Sequence, residues 1–341
     1  MLLTASVAIS GCAKKSDVTT AGSSAPAGAT TAAKAATAGA LPKAAETDKP
    51  IKFMIGDWTS LTVDTEIVTR VLNKLGYRTE MVPADDSARY AAFEAGDLHV
   101  AVETWQTTQA DNLDKSLKTG KVLDMGETGL QAKEDWWFPN YMLEKCPGLP
   151  DWTALKDPKC AAAFSSADTA PKGRYLSGPV GWGGFDAERV AALDLPFVVV
   201  NSGTDAGLFS ELTAAYERKA PILLWVYTPH WAPTKFEGQW IKFPKYEDAC
   251  YNDPAWGVNK AAKYDCSKPE GWIKKMAWAG GEKVWPCAYS VVKAAKFDND
   301  TIGKLTAQID LDGKKAADVA DAWLAANEST WKPWTAGCKA A

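Results

Sequence analysis

The chain has 341 residues, 46% hydrophobic and 23% charged, with a formal net charge of -4, a composition suited to one or two globular domains. Mild acidity without a Lys/Arg block argues against a nucleic-acid partner. No apolar run approaches the roughly 20 residues of a membrane span, and only His99 and His230 are present, which disfavours multi-histidine metal chemistry. One count is out of proportion. Trp occurs 16 times beside 10 Phe and 10 Tyr, although Trp is usually the scarcest aromatic, so indole supplies something that the other rings do not.

In chain order, an apolar stretch from Leu2 to Ile9 leads into small residues and Cys12. Ile9-Ser10-Gly11-Cys12 resembles a bacterial lipobox, whose Cys is acylated and becomes the first mature residue. Residues 1–12 are therefore expected to be a lipoprotein signal with Cys12 as the lipidation site; an ordinary secretory signal with an incidental Cys is the alternative. The missing basic segment before Leu2 suggests a start codon placed too late. Residues 13–49 are mainly Ala, Thr, Ser, Gly and Pro with a few lysines, too poor in large apolar side chains to bury a core, and read as a flexible tether.

The body opens with a strand at 51–55 and a turn at Gly56-Asp57-Trp58-Thr59. Residues 64–75 put Ile67, Val68, Val71, Leu72 and Leu75 on one helical face, stopped by Gly76. A strand at 79–82, a helix at 87–95 ended by Gly96 and a strand at 98–102 complete a β-α-β-α-β run, which predicts a parallel or mixed sheet covered by helices. After Cys146-Pro147-Gly148-Leu149-Pro150 the pattern repeats: strands at 174–176, 197–200 and 222–226 alternate with helices at 186–193 and 204–218. Residues 250–285 are turn-rich and read as an elaboration, followed by a short strand at 288–292 and helices at 300–309 and 315–326.

Removing Cys12 from the seven cysteines leaves Cys146, Cys160, Cys250, Cys266, Cys287 and Cys338, an even set that reads as disulfides in an exported protein. Sequence does not choose among the pairings. Sequential pairing closes short local loops and ties the C-terminus down, and is the working expectation. A zinc site is disfavoured, because there is no C-x-x-C pair and both His are remote. Asn252, Asp253 and Asp265 are open to two readings, a Ca²⁺ site or ordinary turn chemistry, so whether a metal binds is left unknown.

Nucleotide-binding, nucleophile-elbow and metalloprotease motifs are absent. What stands out is aromatic. Trp58, Trp105, Trp182 and Tyr227 each fall just beyond an expected strand, where open α/β sheets bind ligands. Gly181, Gly183 and Gly184 around Trp182 let backbone approach a ligand. Several indole faces around one space form a cage for a quaternary ammonium, held by cation–π attraction. Core packing accounts for any one of these rings taken alone.

The chain resembles the substrate-binding proteins of bacterial ABC importers for glycine betaine, proline betaine and choline. The resemblance spans about 50–335 and rests on Gly56-Asp57-Trp58-Thr59, Leu75-Gly76-Tyr77, Ala95-Gly96-Asp97, Trp105, Leu155-Lys156-Asp157-Pro158-Lys159, Gly181-Trp182-Gly183 and Tyr227-Thr228-Pro229-His230-Trp231. It implies an α/β, two-lobed, type II periplasmic-binding-protein fold with a ligand cleft between the lobes: lobe I from 50–146 plus 286–341, lobe II from 147–285. It places Trp105, Trp182 and Tyr227 on box positions and Gly183 and Gly184 on amide donors for a ligand carboxylate. Gln109 replaces a family His, and Trp58 matches a Trp of the choline-binding branch.

Trp137, Tyr141, Trp231 and Glu103 are further ligand-binding candidates. Glu103, Glu134 and Asp135 are candidates for meeting the positive end of a ligand without its own carboxylate, with a solvated acidic loop as the competing reading for the last two.

These readings converge on an extracytoplasmic, lipid-anchored, monomeric receptor without a cofactor, working with an ABC permease and ATPase. Glycine betaine is the first ligand, with choline, trimethylamine N-oxide or another methylated osmolyte as alternatives. A secreted enzyme acting on a methylated amine and a Trp-platform carbohydrate-binding module are the readings from other classes.

Overall fold

The computed structural model describes residues 44–86 and 88–338. Cys12, the lipobox and the tether as far as residue 43 lie outside the described residues. Apolar alternation sets the first strand, β1 (Ile51–Ile55), which buries Ile51, Phe53 and Met54. It leads into α1 (Thr59–Lys74), whose buried face carries Leu61, Ile67, Val68, Val71 and Leu72 and which Gly76 follows at φ +93°. The helix starts five residues earlier than the apolar period indicates, because its first turn buries Ser60 and Leu61 beside Trp58. Next come β2 (Thr79–Pro83), α2 (Arg89–Ala95), β3 (Val100–Trp105), α3 (Gln106–Lys118) and the long β4 (Val122–Pro139).

The second run contains α4 (Pro158–Ala163), β5 (Gly173–Ser177), α5 (Asp186–Ala192), β6 (Phe197–Asn201), α6 (Asp205–Arg218), β7 (Leu224–Thr228) and β8 (Gly238–Trp240). It closes with β9 (Gly271–Trp278), α7 (Pro286–Ala294), α8 (Asn299–Asp310) and α9 (Ala316–Ala326). Side-chain caps mark three of the helix starts: Asp157, Thr204 and Asp298 accept the N–H groups of Lys159, Gly207 and Thr301.

The strands run β2-β1-β3-β9-β4-β7-β5-β6, with β8 beside β4. Strand β1 is parallel to β2 and β3, and β5 is parallel to β6 and β7. Between these parallel groups lie β9 and β4, both antiparallel to their neighbours. β4 pairs with β9 as far as Ala132 and with β7 from Lys133 onward. The chain thus enters the second half-sheet within β4 and returns with β9.

The sheet crossings thus fall within β4 and before β9, whereas the lobe boundaries expected from the sequence are at 146/147 and 285/286. Residues 133–139 pair within the second half-sheet, and Gly271–Trp278 within the first.

Several elements differ from the sequence expectation. Residues 288–292 are helical, because Pro286 opens a helix that buries Cys287, Ala288, Val291 and Val292 at helical spacing. β4 escaped notice because bulges between Asp124 and Gln131 break its alternation. β9 lies in the stretch read as an elaboration. The described cysteines pair as Cys146–Cys160, Cys250–Cys266 and Cys287–Cys338.

Candidate functional site

Four aromatic side chains meet where the two half-sheets face each other. Trp58 follows β1 and precedes α1, Trp105 ends β3, Trp182 closes a short 3-10 turn after β5, and Tyr227 lies inside β7 rather than beyond it. Two glycines permit the approach of the indoles. A Cβ at Gly56 would sit 2.2 Å from the Trp58 ring, and one at Gly178 would sit 2.4 Å from the Trp182 ring. Trp182 meets Trp58 edge-on at 6.3 Å between centroids and Tyr227 at 5.8 Å, while Tyr227 meets Trp105 at 5.5 Å. Together with Asp86, Thr108 and Glu134 these rings line one small cavity.

The polar edge of every ring is tied to a carboxylate. Trp58 and Trp105 both donate their indole N–H to Glu103 Oε2, at 2.6 and 2.9 Å. Trp182 donates to Asp57 Oδ1 at 2.9 Å, and the Tyr227 hydroxyl donates to Asp205 Oδ1 at 2.8 Å. With N–H and O–H satisfied by carboxylates, the rings bring carbon surface to the cavity, and the face of an aromatic attracts a cation.

Two of the lining groups titrate unusually. Burial pushes the Glu134 carboxyl up to about 7, against the opposing pull of Lys268 and of the Thr107 hydroxyl that donates to it. Burial raises Asp86 to about 6 even though Arg89 pairs with it at 2.6 Å. The cavity therefore offers carboxyl groups that switch near neutrality between hydrogen-bond donor and negative charge.

The other expected residues are placed as follows. Gly183 is left-handed at φ +74°, but its N–H closes the 3-10 turn by donating to the Val180 carbonyl at 3.2 Å, so it is not the free donor expected for a carboxylate. A Cβ at Gly184 would lie 2.1 Å from the Trp225 ring, and its carbonyl accepts from Lys268. Gln109 donates to the Trp182 carbonyl at 3.4 Å and accepts from Tyr90 at 3.2 Å, a link between the half-sheets rather than a lining group.

Trp137 is buried against Gly238 of β8. Tyr141 donates to the Ala220 carbonyl at 2.7 Å, and Trp231 donates to Asp310 at 2.7 Å. Glu103 is fully buried and does not line the cavity; it accepts from Trp58 and Trp105. Glu134 and Asp135 are buried, which overturns the solvated-loop reading. Asp135 pairs with Arg189 at 2.6 Å. Asp265 accepts the backbone N–H groups of Val258 and Asn259, at 2.5 and 2.8 Å, and Asp253 accepts that of Ala255 at 2.9 Å, which is turn chemistry.

Asp57, Asp86 and Thr108 escaped the sequence reading. Asp57 adjoins Trp58 in the Gly-Asp-Trp-Thr turn and was legible there; nothing local marks the other two. Asp205, His230 and Asp310 also converge. His230 Nδ1 accepts the Ala232 N–H at 3.2 Å, which leaves the hydrogen of the neutral ring on Nε2, 3.5 Å from Asp310. That tautomer donates a proton and does not ligate a metal.

The family described as the substrate binding domain of ABC-type glycine betaine transport systems matches residues 49–326. A trimethylamine N-oxide-binding protein of Pelagibacter ubique (strain HTCC1062) is 33% identical over 301 residues, which cover 86% of this chain and 93% of that protein. Among solved structures, an ABC-transporter choline-binding protein in complex with choline superposes with a TM-score of 0.66 at 19% identity, covering 85% of this chain and 93% of the other. Lactococcal OpuAC, closed on glycine betaine, gives 0.64 at 17% identity, covering 84% and 100%. The fold is that of these two-lobed, type II periplasmic binding proteins, and the chain belongs to the substrate-binding domain family of ABC-type glycine betaine transport systems.

Proposed function

We propose that this chain is the extracytoplasmic receptor of an ABC importer and captures a small methylated ammonium or amine oxide among Trp58, Trp105, Trp182 and Tyr227. The observation that carries the reading is the cavity itself: four rings with tethered edges, and carboxyl groups as the charged part of the lining. Each ring face adds about 0.5–2 kcal/mol of cation–π attraction, the upper end applying to a desolvated site. A lysine or arginine ligand would enter with hydrogen-bond donors that the ring faces cannot accept.

The polar contacts order the ligands. The Gly183 N–H and one Gln109 N–H are spent within the protein, while Glu134 supplies a donor when protonated and a counter-charge when ionised. A protonated Glu134 suits the oxygen of trimethylamine N-oxide, and an ionised one suits choline, which has no carboxylate. The 33% identical relative is named for binding trimethylamine N-oxide, which puts that ligand first. Glycine betaine is the second reading, supported by the family description; its carboxylate would use Thr108 and protonated Glu134.

In this proposal the half-sheets are lobes that close on the ligand by hinge motion at β4 and before β9. The closed monomer is then presented to the permease, with its ATPase, from an anchor at Cys12. Calorimetric titration with trimethylamine N-oxide, choline, proline betaine and glycine betaine tests it. Submillimolar binding of at least one is the expected result, and binding of none refutes the cage. Conversion of a bound ligand to product would refute a receptor in favour of an enzyme.

A further inference from the structure

Glu103, which holds the indole N–H groups of Trp58 and Trp105, distributes its hydrogen bonds unevenly. Its Oε2 accepts from Trp58, Trp105 and the Ser60 hydroxyl, the last at 3.1 Å. Its Oε1 has no donor among the described residues, and neither oxygen of Asp64, the neighbouring carboxyl from α1, has one either. Both side chains are inaccessible to solvent, and their carboxyls meet within hydrogen-bonding reach. Two ionised carboxylates in that contact would repel at close range without water to separate them, and three buried oxygens would be left unsatisfied. One proton between them removes both penalties.

We propose that Asp64 and Glu103 share a single proton and together act as the positioning element of the cage, Asp64 donating to Glu103 Oε1 so that Oε2 stays an ionised acceptor for both indoles. The remaining charge stays on Glu103 at the indole N–H edges of Trp58 and Trp105, where it also adds to the attraction of a cation in the cavity. The surroundings agree with this assignment. Burial raises Asp64 well above the usual carboxylate range, and the adjacent Glu103 charge raises it further. Burial also raises Glu103, which its donors Trp58 and Trp105 oppose. The other charged or titratable groups facing Glu103 are Arg89, which donates to its backbone carbonyl at 3.0 Å, Asp86, and Tyr227 from β7. None of them supplies a donor to Oε1 or to Asp64.

The positioning role rests on the cage reading, whereas the shared proton does not, and the experiment separates them. The infrared difference spectrum of ligand-free parent minus Asp64→Asn at neutral pH, in which the Glu134 carboxyl cancels, should contain a protonated-carboxyl carbonyl stretch while the near-ultraviolet circular dichroism of the indoles is kept. An unchanged carboxyl band in Asp64→Asn overturns the shared proton. Titration with trimethylamine N-oxide and choline then reads the positioning role. Asp64→Asn, whose amide still donates to Glu103, should bind within about threefold of the parent, and Asp64→Leu, which has no donor, should bind at least about tenfold more weakly. Equal weakening of the two variants, or none in Asp64→Leu, overturns the positioning role. If Asp64→Leu does not fold, retained affinity in Asp64→Asn supports the proposal and lost affinity refutes it. Failure of the parent to bind any methylated ligand would count against the cage reading alone, with the infrared result still deciding the proton.

Discussion

The Asp57 carboxylate accepts the Trp182 indole N–H at 2.9 Å, and its second oxygen accepts the backbone N–H of Asp205 at 3.3 Å. One side chain at the exit of β1 therefore holds both the loop after β5 and the start of α6, elements of the opposite half-sheet. Asp310, at the end of α8, adds one such bond, accepting from Trp231 of the second half at 2.7 Å, besides Thr59 of its own half at 2.7 Å. Bonds of this kind exist only when the halves are together, so they contribute to closure and little to each half alone.

Asp57→Ala should therefore weaken binding of trimethylamine N-oxide or choline by about tenfold, the worth of one or two charge-assisted hydrogen bonds at a partly exposed site. The melting temperature of the ligand-free protein should hardly change. Calorimetry and thermal denaturation measure the two quantities, and an unaltered affinity would mean that Asp57 takes no part in closure.

Trp182→Ala removes the ring that touches both Trp58 and Tyr227. Its cation–π contribution of up to about 2 kcal/mol is lost together with a wall of the cavity, so affinity should fall at least about 30-fold. Far-ultraviolet circular dichroism should be unchanged, because Trp182 sits in a turn outside every strand and long helix. Retained affinity would remove Trp182 from the cage.

The grouping of rings was partly legible in the sequence, because Trp58 and Trp182 follow strands beside glycines and Trp105 ends a strand, whereas Tyr227 lies inside β7; a strand exit is where an open α/β sheet presents side chains to a ligand. Legibility failed wherever a role depended on a partner distant in the chain. Glu134 read as solvated because β4 was invisible: Gly126, Gly129 and the bulges around them erase the alternation that announces a strand. Helix α3 was missed for a similar reason, since it buries only Thr107, Gln109, Leu113 and Ser116 and shows no apolar period. Gly183 was given a free amide because sequence shows the glycine but not the Val180 carbonyl that its N–H meets. The 16 Trp divide accordingly: three line one cavity with Tyr227, while others stack in the core, as Trp136 does on Tyr175 at 3.8 Å.

Glu134 sets a pH dependence whose direction identifies the ligand. Between pH 6 and pH 8 the carboxyl, raised by burial to about 7, passes from donor to anion. Choline affinity should rise across that interval, and trimethylamine N-oxide affinity should fall; Glu134→Gln should flatten both profiles. Stability follows the same proton. The folded state holds it more tightly than the unfolded chain, whose carboxyl titrates near 4.5, so this stabilisation is complete below that value and is lost as pH rises through about 7. Melting temperature of the ligand-free protein should decline over this window more steeply in the parent than in Glu134→Gln. Parallel curves would show that Glu134 does not carry the effect.

The three disulfides should differ in worth according to the chain they enclose. Cys287–Cys338 spans 51 residues, against 14 for Cys146–Cys160 and 16 for Cys250–Cys266. On the chain-entropy account the long loop contributes about 4 kcal/mol and each short one about 3 kcal/mol. The long bridge also fastens the C-terminal segment that follows α9 to α7, and that segment carries the buried Trp331 and Trp334. Trp334 packs on Phe297 at 5.5 Å and on Trp323 at 6.3 Å, so its release would open apolar surface besides adding chain entropy. Denaturant titration of the paired variants Cys287→Ala with Cys338→Ala, and Cys146→Ala with Cys160→Ala, should show the larger loss of stability in the first pair. The reverse order would mean that local packing at the short bridges, rather than loop length and the C-terminal anchor, governs their contribution.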